Sequence, residues 1–240
     1  MSGSSNRQPI AAATGRGLKI AVIDSGVNVR HPHICAPTHC IVIDLEGEDL
    51  SADDPVGHGT AVTAAIQEKA PNAEYYALKL FGASLRATSD RLIAAIEWAI
   101  VNRMDIVNLS LGTPNFDRRS ELQSLVERAG SAGTLLISAR SAGPQPVLPG
   151  VLKGVIGVEV DWDLPRDRYR VSDADGSPYF LASGYPRPLP GIPPARNLNG
   201  ISFAVANMTG FVARACETLD SRSFCEICEV LAAEASTLAT

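Results

Sequence analysis

The sequence predicts an α/β domain of three layers, αβα, with a mainly parallel central sheet covered by helices on both faces. Three observations predict it. Short apolar runs that end in turn residues recur along the chain, as in strands buried on both faces. Segments with apolar residues at three-four spacing fall between them, as in helices that bury one stripe. The two patterns alternate, which calls for crossover connections and therefore parallel pairing. Functional loops in such a sheet gather at the C-terminal ends of the strands.

Each element has its own justification. LKIAVIDSG (18–26) is an apolar run closing in turn residues, and reads as a buried strand. CIVID (40–44) reads as a second. GTAVTAAIQEKAPNA (59–73) reads as a helix closed by Pro71 and Asn72, and EYYALKLF (74–81) as a strand. SDRLIAAIEWAIVNR (89–103) reads as a helix: Ser89 or Asp90 can cap it, and Leu92, Ile93, Ile96, Ile100 and Val101 form its stripe. MDIVNLSLG (104–112) follows as a strand, and SELQSLVERAGSAG (120–133) as a helix stopped by glycine. TLLISA (134–139) and GVIGVEV (154–160) read as strands. Residues 161–199, rich in Pro, Gly, Asp and Arg, read as loop with a short strand at YFLAS (179–183). A helix follows Ser202, and residues 216–240 read as another. Residues 1–17 are expected to be a flexible arm, and 18–240 a single domain.

Length and charge narrow the function. A chain of 240 residues suits one well-buried domain. A net charge of −5 implies no basic face, so neither nucleic acid nor an anionic membrane is an expected partner. No apolar run reaches the ~18 residues of a membrane span. The N-terminus has no apolar stretch behind a basic start, so no secretory signal is expected. Together with an odd count of five cysteines, this points to reduced thiols and a cytoplasmic location. Cys225 and Cys228 form a lone C-x-x-C, read as plain thiols, with metal or redox use as the other reading. His31, His33, Cys35, His39 and Cys40 read as a loop, with a metal cluster as the alternative. The acidic stretch 46–54 reads as a solvated loop. No cofactor and no metal are expected.

Three short segments carry chemistry. Asp24 ends the first strand, His58 opens a helix after a glycine, and Ser202 opens another. Nucleophilic acyl transfer uses these residue types: a hydroxyl, an imidazole to take its proton, and a carboxylate to orient the imidazole. A serine at a helix N-terminus also has backbone N–H groups close by for a developing oxyanion.

In this order and with these neighbours, the segments resemble the subtilisin-like serine peptidases (subtilases). IAVIDSGVNVRHP (20–32) is similar to the family's aspartate motif and DPVGHGTAV (54–62) to its histidine motif. AIEWAIVNRMDIVNLSLG (95–112) is similar to the helix and strand before the substrate-binding edge, and GISFAVANMTG (200–210) to the serine motif. The likeness runs from Leu18 to Ala215. It implies that Asp24 orients His58, that His58 acts as general base and then acid, and that Ser202 attacks the scissile carbonyl. It implies further that Ser110, Leu111 and Gly112 form one wall of the cleft and pair with an extended peptide as an added strand. Residues 138–141, Ser138 and Ala139 among them, would form the facing wall. The implied partner is a peptide or protein substrate, with a separately encoded propeptide or a dedicated precursor peptide as a further partner.

The sequence departs from the family at several positions. Subtilases carry a Gly-Asn pair after this strand, and the asparagine completes the oxyanion hole. Counting from Gly133 puts Ser141 and Ala142 there, and no asparagine lies between 134 and 150. Loss of such a donor costs roughly 10²–10³ in turnover. On one reading Arg140 or Ser141 then supplies the donor beside the Ser202 backbone; on the other the site is crippled and Arg140 is a solvated loop residue. Ile201 replaces the threonine before the serine, Ala206 replaces a proline, Asn207 follows it, and Ala61 stands where a second histidine is usual. The short connection after His58 has no room for a calcium loop. The expected function is a compact serine endopeptidase, slow or specialised for peptide processing. The alternatives are a peptide-binding pseudopeptidase and an acyl-transfer enzyme or ligase in peptide maturation.

Overall fold

The computed structural model describes residues 9–43, 53–80, 88–174 and 176–238. In chain order the elements are β1 (Lys19–Asp24), β2 (Thr38–Val42), α1 (His58–Gln67), β3 (Glu74–Lys79), α2 (Ser89–Val101), β4 (Ile106–Leu109) and α3 (Arg119–Ser131). There follow β5 (Leu135–Ala139), the two-residue strands β6 (Ser141–Ala142) and β7 (Gln145–Pro146), β8 (Val155–Val160), β9 (Tyr169–Ala174), β10 (Ser177–Ala182), α4 (Ile201–Glu217) and α5 (Phe224–Leu238).

Eight strands form one sheet in the order β2-β3-β1-β4-β5-β8-β10-β9. Every pairing in it is parallel except β9 with β10 at the edge. The period of two along β1 builds both cores. Ile20 and Val22 face one side, with Val62, Ala65 and Ile66 of α1 and a long stretch of α4. Ala21 and Ile23 face the other, with Leu92 and Ile96 of α2 and Leu122 and Leu125 of α3. The result is the expected three-layer αβα arrangement, with α5 added to the α1–α4 layer through Ile227 and Leu231.

Differences from expectation are local. Helix α1 ends at Gln67, and β2 starts two residues early because Thr38 already pairs with Tyr75 of β3. Thr88, not Ser89 or Asp90, caps α2: its side chain accepts the Arg91 N–H. Strand β9 lies in the stretch read as loop, paired with β10 across a turn at Gly176. Residues 218–223 separate α4 from α5. The expected arm is tied down at its second half. Ile10–Ala12 form a 3-10 turn, Ala13 is buried, and the Thr14 and Arg16 N–H groups donate to Glu217 Oε2 at 2.7 and 2.9 Å. Its first eight residues lie outside the described ones, as do residues 46–52 of the acidic stretch.

Candidate active site

The C-terminal end of β1 sits mid-sheet, between β3 and β4. Asp24 closes it with 1 % of its surface exposed. Its Oδ1 accepts the Ser25 N–H at 2.7 Å and lies 2.8 Å from His58 Nδ1. A buried carboxylate on a ring nitrogen selects the tautomer with the proton on Nδ1 and leaves Nε2 free to accept one. Burial by itself pushes His58 down. The hydrogen bond and charge of Asp24, with a smaller contribution from Asp54, outweigh it and hold the imidazole above its ordinary pKa.

His58 is the first residue of α1, and two local features fix it there. Gly59 lies so close to the β1 loop that a Cβ on it would meet Gly26 O at 2.2 Å. Asp54 gathers the start of the helix. Its oxygens accept from Ser25 Oγ (2.8 Å), Gly57 N–H (2.9 Å), Thr60 N–H (2.8 Å) and Thr60 Oγ1 (2.6 Å). Ser25 Oγ in turn accepts the Gly59 N–H at 2.9 Å. Sequence reasoning missed Asp54 and Ser25. The signal was present: an aspartate a few residues before a helix is a capping residue in waiting.

Ser202 lies in the first turn of α4, where N–H groups have no carbonyl one turn back. Its hydroxyl donates to the Ser110 carbonyl at 3.1 Å. Ser110 continues β4 beyond the sheet, and its own hydroxyl donates to Asn108 Oδ1 at 2.8 Å. Asn108 Nδ2 donates to Thr209 Oγ1 at 2.9 Å, which ties the strand back to α4. The Phe203 ring lies 5.5 Å from the His58 imidazole, centroid to centroid. The Asp24–His58 pair and the start of α4 are therefore neighbours. A hydroxyl, an imidazole and a buried carboxylate at the ends of β1, α1 and α4 are equipped for nucleophilic acyl transfer.

Ser110, Leu111 and Gly112 project past β4, and Ser138 and Ala139 end β5, with Ser138 beside Leu109 in register. After them the chain turns in the β6–β7 hairpin and returns between the walls. Val147 N–H donates to Arg140 O, and Thr113 pairs with Leu148 in both directions. Buried Val147 lies against Gly112, where an added Cβ would meet its Cγ2 at 2.6 Å.

Arg140 does not go where the sequence reading sent it. Its guanidinium pairs with Glu159 at 3.3 Å and stacks 4.4 Å over the Tyr179 ring, and its stem lies on Gly157. Those partners belong to β8 and β10, which offer a carboxylate and a π face to a group that β5 leaves half-buried. Ser141 begins the hairpin, half-exposed.

One buried group had no sequence signal. Lys69 Nζ donates to Asn207 Oδ1 at 2.7 Å and lies 5.3 Å from the Phe211 ring centroid. Asn207 donates onward to the Ser183 and Tyr185 carbonyls at 2.9 and 3.0 Å. Burial, then the charge of Arg166, pushes Lys69 down to about 7. Among the described residues no group of three His, Cys, Asp or Glu side chains is placed to hold a metal ion. His39 pairs with Glu74, and His31 meets His33 edge to face.

Comparison with known proteins gives the family and the fold. The model of the subtilase family (Peptidase_S8) matches residues 15–159. The minor extracellular protease Epr of Bacillus subtilis (strain 168) is 34 % identical over 160 residues, 62 % of this chain and 24 % of that protein. Subtilisin E of the same organism is 33 % identical over 135 residues, 52 % of this chain and 34 % of that protein. The chain thus spans a quarter to a third of the length of these two relatives. Two solved structures share the fold. A cold-adapted subtilisin-like serine proteinase superposes with a TM-score of 0.70 at 19 % identity, covering 93 % of this chain and 84 % of the other. A lanthipeptide protease superposes with a TM-score of 0.67 at 18 % identity, covering 89 % and 78 %.

Proposed function

Since the chain belongs to the subtilase family, we propose that it is a serine endopeptidase that cleaves an extended peptide through an acyl-enzyme on Ser202. The observation that carries this is the buried Asp24–His58 hydrogen bond of 2.8 Å beside the helix start that presents Ser202. In this reading His58 Nε2 takes the Ser202 proton as Oγ bonds to the scissile carbonyl carbon. The imidazolium then gives the proton to the leaving amine, and water repeats the cycle on the ester. Asp24 keeps the Nδ1 proton in place and stabilises the imidazolium. The substrate backbone lies along Ser110, Leu111 and Gly112.

The oxyanion is met by the backbone N–H of Ser202 and its neighbours in the first turn of α4. Ser141 is the side-chain candidate for the second donor. Arg140 is committed to Glu159 and Tyr179, so a strong charged donor is missing and slow turnover is expected. Val147 packs on Gly112 of the proposed wall, which favours a small residue before the scissile bond. A narrow cleft and slow chemistry suit a dedicated precursor peptide, and the fold shared with a lanthipeptide protease is compatible with that. Five free thiols suit a reducing compartment.

A serine-directed phosphonate tests the reading. Covalent labelling of the native chain, abolished in Ser202→Ala and His58→Ala, is the expected result. No label at concentrations that saturate a control subtilase would overturn it. Equal peptide binding by native and Ser202→Ala protein, with no turnover by either, would instead support a peptide-binding role. Release of amide rather than acid, when an amine is offered with an activated peptide ester, would support transfer.

A further inference from the structure

A cavity of about 230 Å³ opens beside the first turns of α1. Gly57 and Thr60, on either side of His58, line it, and so does Leu198, four residues before Ser202. None of Ser110 to Gly112 or Ser138 to Ala142 does. It is therefore separate from the acyl-side walls, and on the peptidase reading it takes the leaving half of a peptide. Ala61 and Ala64 form its floor. Ala61 stands where a second histidine is usual in the similar motif, and its methyl group leaves that volume open.

The polar lining is His31, His33, Arg187 and Asn197, with Asn28 and Asp54 at the helix start. Arg187 is the permanent cation here. Its nearest carboxylate, Glu68 at 4.0 Å, is shared with Arg166 and with Lys69, so three cations draw on one anion. Asp54 faces the cavity too, but its charge is spread over the donors of the helix start. The two imidazoles add N–H donors without adding negative charge. His33 is held below its ordinary pKa by burial, by Arg187 and by His31.

Resting on the peptidase reading above, we propose that this cavity recognises a carboxylate on the leaving-group side of the peptide, held by Arg187 with Asn197 and the two histidines around it. The carboxylate is either an Asp or Glu side chain or the free C-terminus of a short leaving segment. Both offer the planar pair of oxygens that a guanidinium fork matches.

The test uses the full-length Ser202→Ala chain, which binds without turning over, and labelled peptides with Gly or Ala at the cleavage position. Glu is compared with Gln at each of the next four positions, and a free C-terminus with an amide. Binding is read by fluorescence anisotropy. Preference for the acid by about tenfold at one leaving-side position, weakened by salt and lost in Arg187→Gln but kept in Arg187→Lys, is the expected result. A preference confined to the free C-terminus assigns the second source. No preference, a preference that survives Arg187→Gln, one on the acyl side, or no binding by any peptide of the set overturns the proposal. Matching thermal unfolding of Arg187→Gln and its parent guards against misfolding. If the native chain hydrolyses none of these peptides while the acid preference persists, the peptidase reading fails and the carboxylate site stands.

Discussion

At the scale of single residues, the site turns on what Asp24 does to His58. Two opposed effects act on the imidazole, and the carboxylate wins over burial. A general base must be neutral, so kcat/KM rises as pH climbs through this raised pKa. The acid limb should therefore lie above the ordinary histidine value of about 6.5. In Asp24→Asn the raising interactions are lost while burial stays, and the limb should move below that value as turnover falls by roughly 10⁴. A pH–rate profile of both proteins checks this; a limb that does not move would mean that another group sets it. The same shift bears on folding. A raised imidazole stabilises the native state fully below about 6.5, and this contribution fades as pH rises through the folded value. Asp24, His58 and Ser202 stand out in the sequence because each sits in a short segment, IDSG, GHGT and GISFA, and the three segments follow one another in that order. Asp54 left a local capping signal that was missed, since Gly57 and Thr60 lie just after it. Lys69 left none, because its partner Asn207 is far along the chain.

At the scale of elements, alternation in β1 and three-four spacing in α2 were readable because each pattern is local. Strand β9 was not, since Tyr169–Ala174 is an edge strand whose only pairing among the described residues is with β10. The hairpin β6–β7 was equally hidden, and on the proposed reading it shapes the cleft. Its return brings Val147 onto Gly112, so cleavage after Gly or Ala should exceed cleavage after Phe or Leu. Val147→Ala removes two methyl groups from that contact. It should raise kcat/KM for the larger residues by roughly 10-fold or more, the value of one or two methylenes in a pocket. Profiles that do not differ between native and variant would remove Val147 from specificity. The α1–α4 contact makes a second prediction, through Lys69. Its folded pKa is about 7, against 10.5 for the free side chain. Between those values the unfolded chain binds more protons, so Lys69 makes stability rise with pH across that window. Lys69→Met keeps the apolar stem and removes the proton. Urea midpoints of native and variant, compared from pH 6 to pH 10, should diverge in favour of the native chain as pH rises. Parallel curves would show that Lys69 does not titrate there.

At the scale of the whole molecule, the parallel αβα plan was legible because it follows from the order of local patterns, whereas the closure of the chain on itself was not. Residues 14–16 read as part of a polar arm, yet their backbone meets the last turn of α4. Glu217 Oε2 accepts two N–H groups more than 200 residues away in sequence. Nothing in a glycine-rich segment announces such a partner, because backbone donors leave no mark on composition. The contact sits where the chain enters β1, the strand that ends in Asp24, so it bears on how firmly the central strand is seated. Burial alone would raise the Glu217 carboxyl, but the N–H groups of Arg16, Thr14 and Gly15 outweigh it and hold the pKa below the ordinary value. A lowered carboxylate stabilises the native state above its unfolded pKa of about 4.5, and this is lost as pH falls through the folded value. Glu217→Gln keeps an acceptor but removes the charge. It should cost about 1 kcal/mol near neutral pH, since the site is partly exposed and solvent screens it. That corresponds to a fall in Tm of about 2–4 °C for a domain of this size. The deficit should shrink as pH falls below the unfolded value of about 4.5 and through the lower folded one. Thermal unfolding of the two proteins at pH 7 and pH 3.5 measures both parts. A deficit equally large at both would show that the charge on Glu217 does not hold the start of the chain to α4.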